Sequence, residues 1–536
     1  MLFRNTLAQS SSFLVSSILS FALTPLLLSR LGLTQFGVWA VTCAIVNYAQ
    51  VVDLGITSSL SRFVALYDGR GERRGIEECL GLGLGTVACV AAVSAVATML
   101  AAPLLADDLG VLDVADMRIV LACAWTILVV QLARGVLNAV PVGMRRMVGP
   151  AIADNVGAAV NFVASVVALA FSTELVVYAL ANAAAAGIAL VATFVVFWRV
   201  WPPSAISLPN RQRGREILGF GLKSQAFWAA EQVNNQTDKV IIALLVGVPA
   251  AAAFEIAARA VRTVKAIGVL TVSALIPTAT AEIVRHGRAV VVEYYRHYTA
   301  RSVAIAFPIC VVACVTSPYL FEAWLGNVPA DTLAILVLLT AANFVNVASG
   351  VAMTLSMASG RPGLVASNAV IIATVNLAVT AALAPIFGLW GVLAGTFGAI
   401  TGGTILFMAR FHRAFELRRT LFVDAVRTPA ALSLGIAAPI VAAELAISPD
   451  TNGRGSALLA TAVVCALYAL PYWLAASRAG LLPRQLACDA VVRRRPPPSR
   501  RTPRLAADTP PAEPTTNGGS GYQRPRIKPG DSRRVG

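Results

Sequence analysis

The chain has 536 residues, of which 57% are hydrophobic and only 13% are charged. Soluble domains carry about 25% charged residues, so this composition excludes an ordinary soluble enzyme, a disulfide scaffold and a disordered protein. One large membrane-embedded body is expected instead. The formal net charge of +16 is typical of either nucleic-acid binding or membrane topology, and the positions of the charges decide between them.

Fourteen apolar segments are long enough to cross a bilayer, which needs about 20 residues per helix. They are 7–29, 36–66, 80–105, 118–140, 150–172, 175–198, 216–246, 252–278, 303–325, 333–357, 364–385, 389–409, 428–447 and 456–477. Two of them, 36–66 and 216–246, are longer than a span requires, which indicates that they bend or extend beyond the bilayer. The sequence therefore predicts an all-α membrane protein with fourteen transmembrane helices.

Arginine is distributed unevenly between the connectors of these segments. With the N-terminus placed inside, the inside connectors hold 20 arginines and the outside connectors hold 3. Inside connectors of membrane proteins carry such an excess, so both termini are predicted to be cytoplasmic. Membrane topology then explains most of the basic charge, and no nucleic-acid partner is expected.

Two short glycine-containing turns suggest an internal repeat. The first lies in the segment 31–39, which reads Leu-Gly-Leu-Thr-Gln-Phe-Gly-Val-Trp, and the second is Val246-Gly247-Val248. An unusually polar helix follows each turn, and the two turns lie one six-helix bundle apart. Parallel repeats of this kind are one known transporter architecture, with the substrate site between the lobes.

The repeat predicts five regions. They are an N-terminal six-helix lobe at 1–198, a cytoplasmic linker at 199–215, a C-terminal six-helix lobe at 216–409, two peripheral helices at 410–477 and a tail at 478–536. The tail contains Arg493-Arg494-Arg495 followed by three prolines, and it is predicted to be disordered. Its basic start either lies against anionic membrane lipids or docks a cytoplasmic partner.

Cysteine and histidine give little indication of chemistry. No zinc spacing, P-loop, dinucleotide fingerprint or nucleophile elbow is present. Cys310 and Cys314 are one helical turn apart and could form a metal pair, but free cysteine in a membrane span usually behaves as a small hydrophobic residue. We expect no metal, no cofactor and no enzymatic activity.

Three short patterns resemble one protein family. They are Leu-Gly-x-x-x-Phe-Gly-x-Trp at 31–39, Asp53-Leu54-Gly55 followed by Arg62, and Asp238-Lys239-x-Ile241 running to Gly247. The chain is similar here to polysaccharide-export flippases of the multidrug/oligosaccharidyl-lipid/polysaccharide exporter superfamily, over roughly 1–477. Phe254, where the family often has tyrosine, and the long basic tail depart from the family pattern.

The resemblance implies a fold and a function. Two lobes would surround a central cavity that opens alternately to each side of the bacterial cytoplasmic membrane. The substrate would be an undecaprenyl-pyrophosphate-linked glycan moved outward for cell-surface polysaccharide assembly. A polysaccharide polymerase or glycosyltransferases of the same process are the partners expected besides membrane lipids.

The eighth segment carries three cations within the membrane. Arg259, Arg262 and Lys265 have the spacing i, i+3, i+6 and lie about 10, 15 and 20 Å from the outer end of the helix. Intramembrane charge is costly and faces a cavity or a partner. Either these cations pair with Asp238 or Glu231 on the preceding helix, or together with Lys239 they attract a polyanionic headgroup, since arginine matches phosphate oxygens bidentately.

Three further cations lie near cytoplasmic ends of spans: Arg62, Arg134 and Lys223. Long basic side chains at such positions often extend to the interface. If they face the cavity instead, they form its inner mouth, where a pyrophosphate would enter first.

Three carboxylates and three amides remain as candidates. The carboxylates are Asp53, Glu231 and Asp238. Each either carries a coupling ion, because a low-dielectric site favours the protonated acid, or forms a salt bridge. The amides are Asn234, Asn235 and Gln236, which either satisfy a bend in the seventh helix or bond sugar hydroxyls.

Three other functions compete with this prediction. A cation-coupled multidrug exporter needs an acidic, aromatic cavity, whereas the stripe here is basic. A membrane glycosyltransferase or polymerase needs catalytic carboxylates in a large outside loop, and the longest one spans only about 106–117. A lipid II flippase stays close, because its cavity is also basic.

Overall fold

The computed structural model describes residues 2–50, 55–203, 206–273, 288–326, 329, 331–418, 420–447 and 453–481. These parts of the chain are almost entirely helical and contain no strand. The helices are α1 (Leu2–Tyr48), α2 (Ile56–Arg70), α3 (Arg73–Leu109), α4 (Val114–Gly143), α5 (Val148–Phe171), α6 (Leu175–Val200), α7 (Arg211–Leu245), α8 (Val248–Ser273), α9 (Arg288–Val315), α10 (Ser317–Leu325), α11 (Asp331–Ala348), α12 (Gly350–Ala358), α13 (Pro362–Ala414), α14 (Thr420–Ile447) and α15 (Arg454–Arg478). Asp53 and nearly all of the predicted tail lie outside the described residues.

Ten helical stretches in the described residues are long and apolar enough to cross a membrane, with α11 and α12 taken as one stretch. The prediction of an all-α, multi-pass membrane protein is therefore confirmed in its class. Helices α7 and α8, expected as spans over 216–246 and 252–278, are not among the ten because charged and amide side chains lower their hydropathy. The count of fourteen spans stays a prediction.

Glycine divides helices where the sequence predicts separate spans. Gly32 interrupts α1 with φ 75° and ψ 170°, and Gly388 interrupts α13 with φ 54° and ψ −131°. Gly247, between α7 and α8, has φ 126°. Positive φ is readily adopted only by glycine, so both predicted glycine turns have the backbone that requires this residue.

Three predicted spans are broken where the sequence suggested a continuous helix or a simple bend. The segment 36–66 is divided between α1 and α2, and Gly55 precedes α2 in the left-handed conformation with φ 66°. The segment 303–325 breaks at Thr316, and Pro318 lies in the first turn of α10, where it has no N–H for a bond to the preceding turn. The segment 333–357 breaks at Ser349, between α11 and α12.

Helix α1 packs against α8 and α10 at the end of the bundle that holds Gly32 and Gly247, which we name the glycine-turn end. A Cβ atom added to Gly37 would lie 2.5 Å from the carbonyl oxygen of Val248. The rings of Phe21 and Trp324 stack with centroids 3.8 Å apart, and the indole Nε1 donates to the Phe21 carbonyl at 3.0 Å. These contacts join the two halves of the chain.

The opposite end carries most of the arginines in the described part of the chain, and we name it the arginine-rich end. Arg213, in the first turn of α7, lies 2.9 Å from a carboxylate oxygen of Glu78 and 3.4 Å from one of Glu72. The hydrogen bond to Glu78 raises the pKa of the Arg213 guanidinium. Gly81 leaves room for the carbonyl of Ser207, so the connector between α6 and α7 is held against α3.

We predict that Gly37→Ala destabilises the protein. Its new methyl group would overlap Val248, and overpacking typically costs about 1–3 kcal/mol. Gly187→Ala in α6 is the matched control, since no atom lies within 4 Å of an added Cβ there and alanine is the better helix former. Thermal unfolding of the two variants in detergent measures the difference, and equal melting temperatures would contradict close packing at Gly37.

Candidate functional site

One buried carboxylate on α8 binds three cations. Glu255 Oε2 lies 3.0 Å from Lys239 Nζ of α7, and Glu255 Oε1 lies 3.1 Å from Arg259 Nε and 2.7 Å from Arg262 Nη2. Arg259 and Arg262 follow Glu255 by four and seven residues and so share its face of the helix. Burial of a lone carboxylate is costly, and these cations supply its countercharge. We name this group the Glu255 cluster.

The three cations of the Glu255 cluster differ in exposure. The side chains of Lys239 and Arg259 are 8% and 18% exposed, whereas that of Arg262 is 51% exposed. Arg259 also reaches α1, where it donates to Thr24 Oγ1 at 3.4 Å and its guanidinium lies 5.1 Å from the Phe36 ring centroid. Lys239 therefore connects α7 to α8, and Arg259 connects α8 to α1. The charge of Arg262 is the most exposed of the three.

Arg262 lines a cavity of about 270 Å³ formed by α7, α8, α11, α12 and α13, which we name the amide cavity. Its wall combines charged, amide and apolar side chains. The charged ones are Glu231, Asp238, Arg262 and Lys265, and the amides are Asn234, Asn235, Asn343, Asn346 and Asn368. Of the predicted site residues, six therefore meet in one place, while Lys239, Arg259 and Gln236 do not line this cavity.

The cations pair differently from the alternative that the sequence left open. Lys265 Nζ does lie near Glu231, at 3.8 Å from Oε1, with both side chains about a third exposed. Arg259 and Arg262 pair with Glu255, and among the described ion pairs neither reaches Asp238 or Glu231. Glu255 replaces Asp238 because it lies on the same helix face as the two arginines.

Asp238 is 3% exposed and is held by neutral donors. It accepts hydrogen bonds from Thr396 Oγ1 at 2.8 Å and from Asn376 Nδ2 at 3.2 Å. Thr380 in turn donates to Asn376 Oδ1 at 3.1 Å. Carboxylate, amide and hydroxyl oxygens are ligands that suit hard cations, although no group of three or more His, Cys, Asp or Glu side chains within the described ranges could hold a metal ion.

Arg134 belongs to a different cavity. A space of about 720 Å³ lies within α1, α4, α5 and α6 and includes Arg134, Asp154 and Asn161 in its wall; we name it the N-terminal cavity. The guanidinium of Arg134 donates to Asp154 Oδ1 at 2.6 Å and to Thr193 Oγ1 at 2.9 Å. The structure thus pairs this arginine with a carboxylate of its own.

The remaining predicted residues lie apart from both cavities or cannot be placed. Arg62 is exposed, and its guanidinium stacks 4.0 Å from the ring centroid of Phe220. Gln236 is partly buried and is not part of either cavity wall. Asp53 and the side chain of Lys223 fall outside what the structure describes. An inner mouth formed by Arg62, Arg134 and Lys223 together stays a prediction.

The sequence analysis did not identify Glu255, the central carboxylate of the Glu255 cluster, or most of the asparagines of the amide cavity. The signal for Glu255 was available, because its spacing of four and seven residues to the two arginines places all three on one helix face. Asn343, Asn346 and Asn368 gave no signal, since they lie on α11 and α13, and only the tertiary structure brings them to Arg262.

We predict that Glu255→Gln lowers protein abundance and thermal stability. The substitution leaves three clustered cations without their carboxylate, and breaking a buried ion pair typically costs about 3–5 kcal/mol. Unfolding in detergent measures the loss, with Glu174→Gln, at an exposed position before α6, as control. Adding Lys239→Met should recover part of the stability, because the most buried of the three cations is then removed. A Glu255→Gln variant as stable as the control would contradict the role of the cluster.

The comparisons with known proteins agree on the fold. A lipid II flippase MurJ in an inward closed conformation superposes with a TM-score of 0.66 at 10% identity, covering 89% of this chain and 98% of that one. An inward-facing multidrug resistance MATE family transporter of the MOP superfamily gives 0.53 at 17% identity, with 76% and 94% covered. A MOP superfamily transporter from Pyrococcus furiosus, described as having a binding pocket of reverse polarity, gives 0.50 at 15% identity, with 77% and 96% covered.

Sequence comparison places the chain in a family. No curated protein matches the sequence. The family model described as "Polysaccharide biosynthesis protein" matches residues 2–283, which is more than half of the chain. With the fold that it shares with MurJ and the MATE transporters, this membrane protein belongs to the polysaccharide biosynthesis protein family.

Proposed function

We propose that the protein is an alternating-access flippase that moves an undecaprenyl-pyrophosphate-linked glycan across the bacterial cytoplasmic membrane for cell-surface polysaccharide biosynthesis. The family and the fold support this proposal. One observation carries it: the guanidinium of Arg262 is half exposed on a cavity wall. Since arginine binds phosphate oxygens through a planar fork, a diphosphate is the ligand that fits this position.

The charge of the cluster favours an anionic substrate over a cationic drug. Lys239, Arg259 and Arg262 share the single carboxylate of Glu255. The surplus of positive charge around Glu255 favours an anion over a cationic drug at Arg262. A lipid II flippase would meet the same requirement, because its substrate also has a diphosphate headgroup; a multidrug exporter for cationic compounds would not.

The proposal includes the finer topology: fourteen spans, two six-helix lobes and both termini in the cytoplasm. The positive-φ glycines at 32 and 247 support the repeat, and the arginine excess supports the orientation. We also propose protein partners at the membrane, either a polysaccharide polymerase or glycosyltransferases.

The topology predicts the behaviour of reporter fusions. Alkaline phosphatase fused after Gly536 should be inactive, because the enzyme folds only outside the cytoplasm. The same reporter fused after Gly110, which ends α3 in an expected outside connector, should be active and serves as control. Activity in the Gly536 fusion would reverse the orientation.

We predict that Arg262→Gln reduces binding and export at least tenfold, since a charge-assisted hydrogen bond is worth about 1.5–3 kcal/mol. Binding of inorganic pyrophosphate to the purified protein, and surface polysaccharide in cells carrying the variant, measure the two effects. Arg262→Lys should restore export only in part, because lysine cannot form the bidentate fork.

The control for Arg262 is Arg118→Gln, which alters an exposed arginine on α4. Both variants should reach the membrane in normal amounts. Normal export by Arg262→Gln would refute the proposed headgroup site. Faster transport of lipid II than of other diphosphate-linked glycans by the reconstituted protein would favour the lipid II flippase.

We propose Asp238 as the residue that carries a coupling ion. Its carboxylate is buried, lines the amide cavity, and is held by hydroxyl and amide groups. Glu231, by contrast, contacts Lys265. A carboxylate surrounded by neutral oxygen and amide groups can exchange a proton or a small cation without breaking an ion pair.

Asp238→Asn should therefore abolish ion-driven export while retaining the fold. In wild-type cells, export should stop when an ionophore dissipates the gradient of the coupling ion, and separate ionophores for protons and for sodium identify that ion. In Asp238→Asn cells, export should be at least tenfold lower before treatment and should not respond further, as the loss of a charged ligand costs about 1.5–3 kcal/mol. Asp331→Asn, at the exposed start of α11, is the control. Unchanged, ionophore-sensitive export by Asp238→Asn would refute this role.

A further inference from the structure

Five asparagine side chains converge on the amide cavity from three separate helices. Asn234 and Asn235 lie on α7, Asn343 and Asn346 lie one turn apart on α11, and Asn368 lies on α13. A cavity for a diphosphate alone would need cations rather than amides. The amides therefore indicate a second, uncharged part of the ligand.

Asn368 provides the most direct indication of that ligand. Its side chain is 1% exposed, it lines the cavity, and its Oδ1 atom has no hydrogen-bond partner among the described residues. A buried acceptor without a donor is costly, and native proteins leave few such groups. A donor supplied by a bound molecule would satisfy this oxygen.

Asn343 is arranged in a complementary way. Its Nδ2 atom donates to the carbonyl oxygen of Leu339 at 2.9 Å. That bond fixes the amide plane and leaves Oδ1 able to accept a hydrogen bond from the cavity side. Two amide oxygens on α11 and α13 are thus available to one ligand.

The chemistry of the wall matches a sugar ring. Asparagine offers both a donor and an acceptor without charge, and so does each sugar hydroxyl. The same wall contains Phe254, Met353, Val365 and Ile372, which give an apolar surface for the C–H faces of a ring. Convergent polar groups on a mainly apolar wall are typical of small-molecule sites.

We propose that the amide cavity binds the sugar residue joined directly to the diphosphate, with Arg262 and Lys265 on the phosphate side and Asn343 and Asn368 on the sugar side. The inference rests on the proposed function and adds the neutral part of the substrate to it. A sugar phosphate presents an anionic group and an uncharged ring side by side, as the cavity wall does. The protein would then distinguish substrates by the hydroxyl and amide pattern of this sugar.

Isothermal titration calorimetry on the detergent-purified full chain tests the proposal, and saturation-transfer NMR reports contact with the sugar protons. The probes are the 1-phosphates of glucose, galactose and N-acetylglucosamine, compared with inorganic phosphate. At least one sugar phosphate should bind more tightly than phosphate, with saturation transferred to its ring protons. Asn343→Ala and Asn368→Ala should each weaken that sugar phosphate about three- to tenfold, the effect of one lost neutral hydrogen bond, and should leave phosphate binding unchanged.

Asn155→Ala is the matched control. This half-buried asparagine of α5 also has an unpartnered Oδ1 but is absent from both cavity walls. It should bind the sugar phosphate as the wild type does. A thermal-unfolding curve for each variant shows that the protein is folded, and Asn368→Ser, which keeps a polar group, is used if the alanine variant is unstable.

Two outcomes would overturn the inference while leaving the proposed function intact. In the first, phosphate binds through Arg262 but none of the sugar phosphates binds more tightly. In the second, Asn343→Ala and Asn368→Ala weaken phosphate as much as sugar phosphate, which would mean that the asparagines only position the cationic wall. If neither phosphate nor any sugar phosphate binds the wild type, the proposed headgroup site fails together with the sugar site.

Discussion

The carboxylate of Glu255 is the constraint on which the centre of this structure depends. Within a bilayer an unpaired charge is costly, and here three cations from two helices share one anion. Lys239 fixes α7 to α8 through this carboxylate. Arg259, held at the same oxygen as Arg262, extends the connection to α1 through Thr24 and Phe36. One side chain thereby joins both halves of the chain.

Sharing one carboxylate also determines how Arg262 can respond to an anion. Glu255 Oε1 contacts Arg259 at 3.1 Å and Arg262 at 2.7 Å, so neither arginine has a full countercharge. A phosphate that engages Arg262 competes with Glu255 for its donors, and the carboxylate then interacts more strongly with Arg259 and Lys239. The proposed headgroup binding and the contact between α1 and α8 would therefore depend on the same atoms.

The sequence predicted what depends on local pattern. Apolar runs gave the membrane class, and the turns at Gly32 and Gly247 were found because a reversal between apolar runs needs a residue that tolerates positive φ. The amides of α11 and α13 were missed because no spacing along the chain relates Asn343 to Asn368. The sequence left open whether Asp238 pairs with a cation or carries a coupling ion. Its position on α7 directs it to Thr396 and Asn376, and packing determines this choice of partner.

The two cavities differ in how their arginines are paired. Arg134 lines the larger N-terminal cavity, but Asp154 lies 2.6 Å away and supplies a complete countercharge, and Thr193 accepts a further bond. An anion entering there would have to displace a full carboxylate. Arg262 lines the smaller amide cavity with only a shared carboxylate behind it and about half of its side chain exposed. Because the free energy of binding depends on the charge left uncompensated, the proposed headgroup site lies at Arg262 and not at Arg134.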